Sequence, residues 1–310
     1  MKRRDLLRFG GTAMIGGAMA AAFPAGFTRA EDEKKKRILY FTRSNGFVHG
    51  PVARHNGELA FSEKWLMELG KEHGIEVVCS KDGSVFDDDL DQWDTVAFYT
   101  SGNLCEQSAD DNSPCISTKG KAALLSWVEA GGGFVGFHSA TDSFRTDKID
   151  PYIAMLGGEF IVHGSQQNAW MRATTPDFPG TKGVADFRMM EEWYAHFKFA
   201  RDMQVLLIQD TTDMQKTGGD ACYDRAPFPA TWVRNHGKGR VFYTSMGHRE
   251  DVWESDIFKK IVLGGFSWTL RNAKYDVVPN FEKVTPDSET WKGSTLPQQA
   301  SVAIQPIGTI

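Results

Sequence analysis

Short apolar runs set apart by polar loops organise most of this chain. "RILYFT" (Arg37 to Thr42) is β-branched and aromatic and predicts a buried first strand. Between Asn56 and His73, the apolar positions Leu59, Ala60, Trp65, Leu66 and Leu69 fall near helical spacing and predict a helix. "GIEVVCS" reads as a second strand, and Thr95 to Thr100 as a third after the acidic connection "DDDLDQWD". "TKGKAALLSWVEAGG" starts on threonine and stops on glycine, which predicts a second helix, and "GFVGFH" is the fourth strand. This alternation predicts an α/β fold, a parallel sheet with helices on both faces. Farther along, "EFIVHG", "AWMRATT" and "FRMMEEWYAHF" predict a β-rich insertion. "QVLLIQD" and "GRVFYTSMGH" return to buried-strand character, and "SDIFKKIVLGGFSWTLRN" is a closing helix. Residues 1–30 then form a leader, 31–36 a charged linker, 37–275 one α/β domain, and 276–310 an irregular tail.

Charge narrows the partners. The 310 residues carry 35 Lys and Arg against 40 Asp and Glu, a net charge of -5. No basic stripe is present to meet phosphates, so nucleic acid is not an expected partner. The nine tryptophans suit a core, but sugar-binding surfaces use such residues too, with Trp170, Trp193 and Trp253 as candidates for stacking on sugar rings. At the start of the chain, Arg3-Arg4 precede Asp5-Leu6-Leu7 and an apolar, Gly/Ala-rich stretch, and Thr28-Arg29-Ala30 fits a small-x-small cut before Glu31. This resembles a twin-arginine export signal and predicts a periplasmic or otherwise exported protein. No other stretch approaches the ~20 apolar residues of a membrane span. Cys105 and Cys115 bracket a polar loop and are the expected local disulfide, while Cys79 and Cys222 pair or stay as buried thiols. Without CxxC spacing, a thiolate zinc site is not expected.

Four histidines share one setting. His49 closes "SNGFVHG", His138 ends the fourth strand, His163 closes "EFIVHG" and His248 ends "GRVFYTSMGH". A histidine just past a buried strand is placed to face a cleft at the sheet's carboxyl edge. His49, His138, His163 and His248 are therefore candidate ligands for a divalent metal, zinc or similar, or candidate acid–base groups without one. His55, His73, His196 and His236 lack that setting. Glu191 and Glu192 are neighbours, and successive strand residues face opposite sides, so one turns to the cleft and the other to solvent. Asp142, four residues beyond His138, either orients its imidazole or caps the following helix. His138 and Glu192 are the candidate catalytic pair. Trp193, Tyr194 and Arg240, with Arg249, are candidate substrate contacts. No GxSxG, GxCxG or HExxH motif occurs, and no nucleotide cofactor is expected.

The motifs "GGGFVGFHSATDSF", "EEWYAHF" and "PATWVRNHGKGRVFYTSMGH", in that order, resemble the ThuA-like (trehalose utilisation) family. "RSNGFVHG" and "LGGEFIVHG" resemble two further family loops that end in histidine. The likeness runs from about Arg37 to Leu270. It implies a flavodoxin-like, class I glutamine amidotransferase-like fold. Where true amidotransferases carry a nucleophilic cysteine at the strand end, this chain has His138, so glutamine hydrolysis is not expected. The resemblance also implies sugar catabolism and a small carbohydrate substrate. The family's Asp-Glu pair before tyrosine is Glu191-Glu192 here, which leaves Glu192 matched. The expectation is an exported enzyme acting on a glycoside or keto-sugar by hydrolysis, elimination or isomerisation. The alternative is a non-catalytic sugar-binding protein on the same fold.

Overall fold

The computed structural model of the chain describes residues 35–108 and 112–290. The expected leader, most of the charged linker and the last part of the tail lie outside those residues. In chain order, β1 (Arg37–Phe41) and the two-residue β2 (Ser44–Asn45) precede helix α1 (Phe61–Glu72). Next come β3 (Glu76–Ser80), β4 (Thr95–Phe98), the short β5 (Ser101–Gly102), helix α2 (Thr118–Ala130) and β6 (Gly133–Phe137). Helix α3 (Pro151–Leu156) leads to β7 (Glu159–His163), β8 (Gln167–Ala173), β9 (Phe187–Glu191) and β10 (Tyr194–Phe197). The chain ends its described part with β11 (Gln204–Asp210), β12 (Phe228–His236), β13 (Gly239–Thr244), α4 (Glu250–Trp253), α5 (Asp256–Thr269) and α6 (Phe281–Val284).

Nine strands form one sheet in the order β3-β1-β4-β6-β13-β12-β11-β8-β9. The first five run parallel and the rest are antiparallel neighbours. The expected parallel sheet is thus one half of a mixed sheet. The cause is the tight turn at Gly237-Lys238, with Gly237 at φ 58°, which joins β12 to β13 and can only connect antiparallel strands. The β-rich segment divides: β8 and β9 extend the main sheet, while β7 and β10 pair on their own.

Period-two alternation in β1 builds both layers of core. Ile38 and Tyr40 pack in one apolar cluster with Leu66 and Leu69 of α1 and with Phe258, Ile261, Val262 and Phe266 of α5. Leu39 and Phe41 pack in the other, with Leu124 and Val128 of α2 and Tyr152 to Leu156 of α3. Each such buried side chain contributes about 1.5–3 kcal/mol. A one-residue slip would exchange the two layers, so the register is firmly specified. α5 also meets a loop at close range, because a Cβ on Gly264 would stand 2.1 Å from Gly180 Cα.

Three local expectations change. α1 begins at Phe61 instead of near Asn56, because Asn56 (φ 53°) and Gly57 (φ 79°) are left-handed, and the Glu63 carboxylate then caps the helix by accepting from Ala60 N–H at 2.9 Å. Cys79, Cys105, Cys115 and Cys222 are all free thiols, so no Cys105–Cys115 disulfide forms. Beyond residue 276 the described backbone is mostly irregular but it is packed: Asn280 brackets Val205 from both sides of its peptide, Phe281 is buried, and Glu289 binds Arg201 and Phe199 N–H. No helix among the described residues is long and apolar enough to cross a membrane.

Candidate active site

The segments that leave β1, β4, β6 and β13 meet at the carboxyl edge of the parallel strands. They bring three imidazoles together, with ring centres 4.9 Å apart for His49 and His138, 5.2 Å for His138 and His248, and 5.3 Å for His49 and His248. The turn between β9 and β10 adds Glu192. β10 adds Tyr194, whose ring centre is 4.0 Å from that of His138. His138 itself stands at the end of β6 with φ 39°. A left-handed non-glycine residue costs about 1–3 kcal/mol, and here several bonds hold it in place. Tyr243 Oη donates to the His138 carbonyl at 2.6 Å, and Thr141 Oγ1 reaches the same oxygen at 3.2 Å. Behind them, buried His196 bonds Tyr243 Oη through Nε2 at 2.9 Å.

Hydrogen bonding fixes which nitrogen of His138 is free. A carbonyl only accepts, so Nδ1 donates to Ser245 O at 2.8 Å and Nε2 keeps its lone pair. That Nε2 is buried without a hydrogen-bond partner, 3.4 Å from Glu192 Oε2. His248 Nδ1 approaches the same oxygen at 3.0 Å, and it too is buried without a hydrogen-bond partner. His49 bonds Tyr194 Oη through Nε2 at 3.1 Å, which leaves its Nδ1 unpartnered as well. One ligand atom from each of His49, His138, Glu192 and His248 lies within 4.8 Å of the others. Ligands held about 2.0–2.2 Å from a single ion stand at most about 4.4 Å apart, so small side-chain shifts would close this set on one.

Electrostatics reinforces the arrangement. Burial, together with His138 and His248, pushes His49 down to about 2. Burial also lowers His138, against the pull of Glu192. For Glu192, burial opposes the charge, but contacts with His138 and His248 prevail and hold the carboxyl below the usual carboxylate range. The site presents one carboxylate beside the free Nε2 lone pair of His138 and unpartnered ring nitrogens of His49 and His248. Imidazole nitrogens with a carboxylate suit a divalent transition metal.

The other expected site residues sort by what their polar atoms already hold. His163 reaches the rim, with Nδ1 3.5 Å from Glu192 Oε1, but that nitrogen donates to Gly164 O at 2.9 Å and has no lone pair for an ion. Glu191 does not turn to solvent. It is buried, accepts from Gly247 N–H at 2.7 Å and His248 N–H at 3.1 Å, and so fixes the loop that carries His248. Burial pushes its carboxyl up to about 7 in spite of those donors. Asp142 neither orients His138 nor caps a helix; it pairs with Arg145 at 2.7 Å, and Ser245 O does the orienting. Arg240 opens β13 at the opposite, amino edge, where it donates to Trp268 O at 2.7 Å, so it is not a substrate contact. Trp193 and Trp253 are wholly buried, their indole N–H groups spent on Gln167 O and Gly247 O, and Trp170 lies on β8 under the Arg172 guanidinium. None of the three tryptophans offers a sugar platform. Tyr99, whose hydroxyl donates to Gly247 O at 3.0 Å, Ser245 and His196 carry no sequence signal of their own, since each acts through a contact between distant segments.

The ThuA family model, described as trehalose utilisation, matches residues 37–269. In fold the chain is similar to a protein described as ThuA-like from Bacteroides uniformis, at 18% identity and a TM-score of 0.57, covering 80% of this chain and 95% of that one. A protein described in the same way from Parabacteroides merdae is 17% identical with a TM-score of 0.56, covering 79% of this chain and 94% of that one. At such identities the likeness is one of fold. No curated protein matches the sequence.

Proposed function

Because this chain belongs to the ThuA family, described by trehalose utilisation, we propose that it is an enzyme of carbohydrate metabolism. Its substrate in this reading is a glycoside or keto-sugar, and the reaction a hydrolysis, elimination or isomerisation. The observation that carries the reading is the approach of two buried, unpartnered imidazole nitrogens, His138 Nε2 and His248 Nδ1, to one oxygen of Glu192, with a ring nitrogen of His49 in the same group. Burying such atoms without partners is costly, and one divalent cation would satisfy them. His49, His138 and His248 would hold it, and a cation there supplies a Lewis acid for a carbonyl or hydroxyl oxygen.

The residues do the rest. Ser245 O and the bonded His138 carbonyl lock the imidazole in one tautomer and one direction. Glu192, kept ionised by its neighbours, is the proton acceptor, and its second oxygen faces the rim beside His163. Tyr194 holds His49 through its hydroxyl and closes the site from the β10 side. The twin-arginine-like pattern in residues 1–30 supports action in the periplasm, which cell fractionation of the full chain tests.

Elemental analysis of protein purified without chelator is the deciding experiment. We expect one zinc, manganese or iron per chain, lost in His138→Ala. Glu192→Gln is expected to lose turnover of keto-disaccharides. A metal-free wild type whose His138→Ala variant turns over substrate normally would remove the histidine set from the function.

A further inference from the structure

Phe47 is the one exposed aromatic side chain among the described residues, at 67% exposure. An exposed phenylalanine alone needs no explanation. This one is fixed at the mouth of the candidate site. Its ring meets the His49 ring edge to face at 4.8 Å, and its carbonyl accepts from Ser101 Oγ at 2.7 Å. The loop beneath it is pinned by the β2–β5 pairing and by Asn45 Nδ2 donating to Asn103 O at 2.7 Å. Gly102 is required there: its φ is 74°, and a Cβ would stand 1.7 Å from Asn45 O. The ring is therefore held out in water by a built support.

From Phe47 a belt of rings crosses the site. His49 follows, then His138, then Tyr194, whose ring centre is 4.0 Å from that of half-buried Phe160. His49, His138 and Tyr194 are buried, so in this row the face open to a flat ligand is that of Phe47, with half-buried Phe160 at the far end. The nearby cations are committed elsewhere. Arg145 pairs with Asp142 at 2.7 Å and Arg249 with Asp251 at 2.8 Å. Neither guanidinium is held in readiness for a phosphate or carboxylate.

We propose that Phe47 is the stacking platform of the site and that it takes the apolar face of an uncharged pyranose. The proposal rests on the carbohydrate reading and narrows it. An aromatic face carries negative potential and attracts the polarised C–H groups of a sugar ring, a contact of about 0.5–1.5 kcal/mol or up to about tenfold in affinity.

The test titrates full-length protein calorimetrically with trehalose, methyl glucoside and glucose 6-phosphate, and measures bound metal in parallel. Wild type is expected to bind a neutral sugar better than the phosphate. Phe47→Ala should bind it about tenfold more weakly with unchanged metal content, and Phe47→Trp should retain or improve binding. Substituting a side chain this exposed leaves the core intact, so a loss of affinity is not a loss of fold. Equal binding by wild type and Phe47→Ala overturns the platform while the proposed function stands. Tighter binding of the phosphate overturns the uncharged class. Wild type that binds no sugar removes the carbohydrate reading and this inference with it.

Discussion

At the amino edge of the parallel strands, Trp93, Asp94, Trp127, Thr269 and Arg271 line a cleft of about 480 Å³. At the carboxyl edge, three histidines and Glu192 crowd into a space only a few ångströms across. In the cleft Asp91 is exposed, Asp94 holds Lys36 and Arg37 N–H, and Arg271 donates to Gly131 O and Lys238 O. Trp93 Nε1 lacks a partner there, but an indole N–H is a donor only, neither base nor ligand. The carboxyl edge differs in kind, because its unpartnered atoms include imidazole nitrogens, which can bind a metal ion or carry a proton, and His138 Nε2 keeps its lone pair. What separates the two edges is unsatisfied chemistry, not volume, and each prediction below tries that distinction.

The largest effect is expected from His138. Removing its imidazole takes away a proposed metal ligand and one of the two neighbours that keep Glu192 ionised, and turnover of a keto-disaccharide should fall by about 10²–10⁴-fold. Asp94→Asn, at the other edge, should leave turnover within about twofold, since it disturbs one half-exposed ion pair. Comparable losses in both variants would mean that the edges are coupled and that the carboxyl edge is not the separate reaction centre.

A smaller effect concerns stability and pH in chelator-treated protein. His49 (about 2), His138 and His196 are all lowered in the fold, chiefly by burial. Unfolded, each takes a proton below about pH 6.5, whereas the folded form takes it only at lower pH, so these groups lower stability as pH falls from about 6.5. Glu191, raised to about 7, works the other way in that window, because the fold favours its protonated form. Each such histidine contributes up to about 1.4 kcal/mol per pH unit over the range in which only its unfolded form is protonated. Denaturant melts at about pH 7 and 5 should show that loss, with a shallower slope in His138→Ala and the wild-type slope in Arg271→Ala. Stability that is flat or rises on acidification would show that the imidazoles are not buried neutral.

The distinction between the edges was half visible in the sequence. Short apolar runs announced β1, β4, β6 and β13, and a histidine at the end of a buried strand is delivered to the carboxyl edge by chain direction alone; His138 and His248 were legible for that reason. The same logic places Arg240 correctly once its position is weighed, since a residue that opens a parallel strand stands at the amino edge. His163 was misleading because strand position does not say which ring nitrogen is spent, and a local bond to Gly164 O spends the one that faces Glu192. Glu191 hid its role for another reason. Its partners are backbone N–H groups of Gly247 and His248, far along the chain, and no periodicity reports them. Phe47 reads as one more apolar residue of a loop until the β2–β5 pairing shows that it is held outward.

The smallest expected effect lies at the amino edge itself. Arg271→Ala deletes the donor to Gly131 O and Lys238 O, at 3.0 and 2.9 Å, on an exposed side chain. Each bond contributes about 0.5–1.5 kcal/mol at most, and water replaces part of it at such a surface. The variant should therefore lose about 1 kcal/mol, a melting shift of about 2–4 °C for a domain of this size. Metal content, sugar affinity and turnover should match wild type. The pairing of a measurable stability loss with unaltered chemistry is the informative outcome, because Gly131 O and Arg271 sit directly below β6, whose far end carries His138. If so slight a loosening at the foot of β6 lowered turnover, the strand would be transmitting strain to His138, whose left-handed backbone is the one strained point among the three histidines. Unchanged turnover would instead show that Tyr243 and Ser245 hold the elbow locally, independent of the strand's other end.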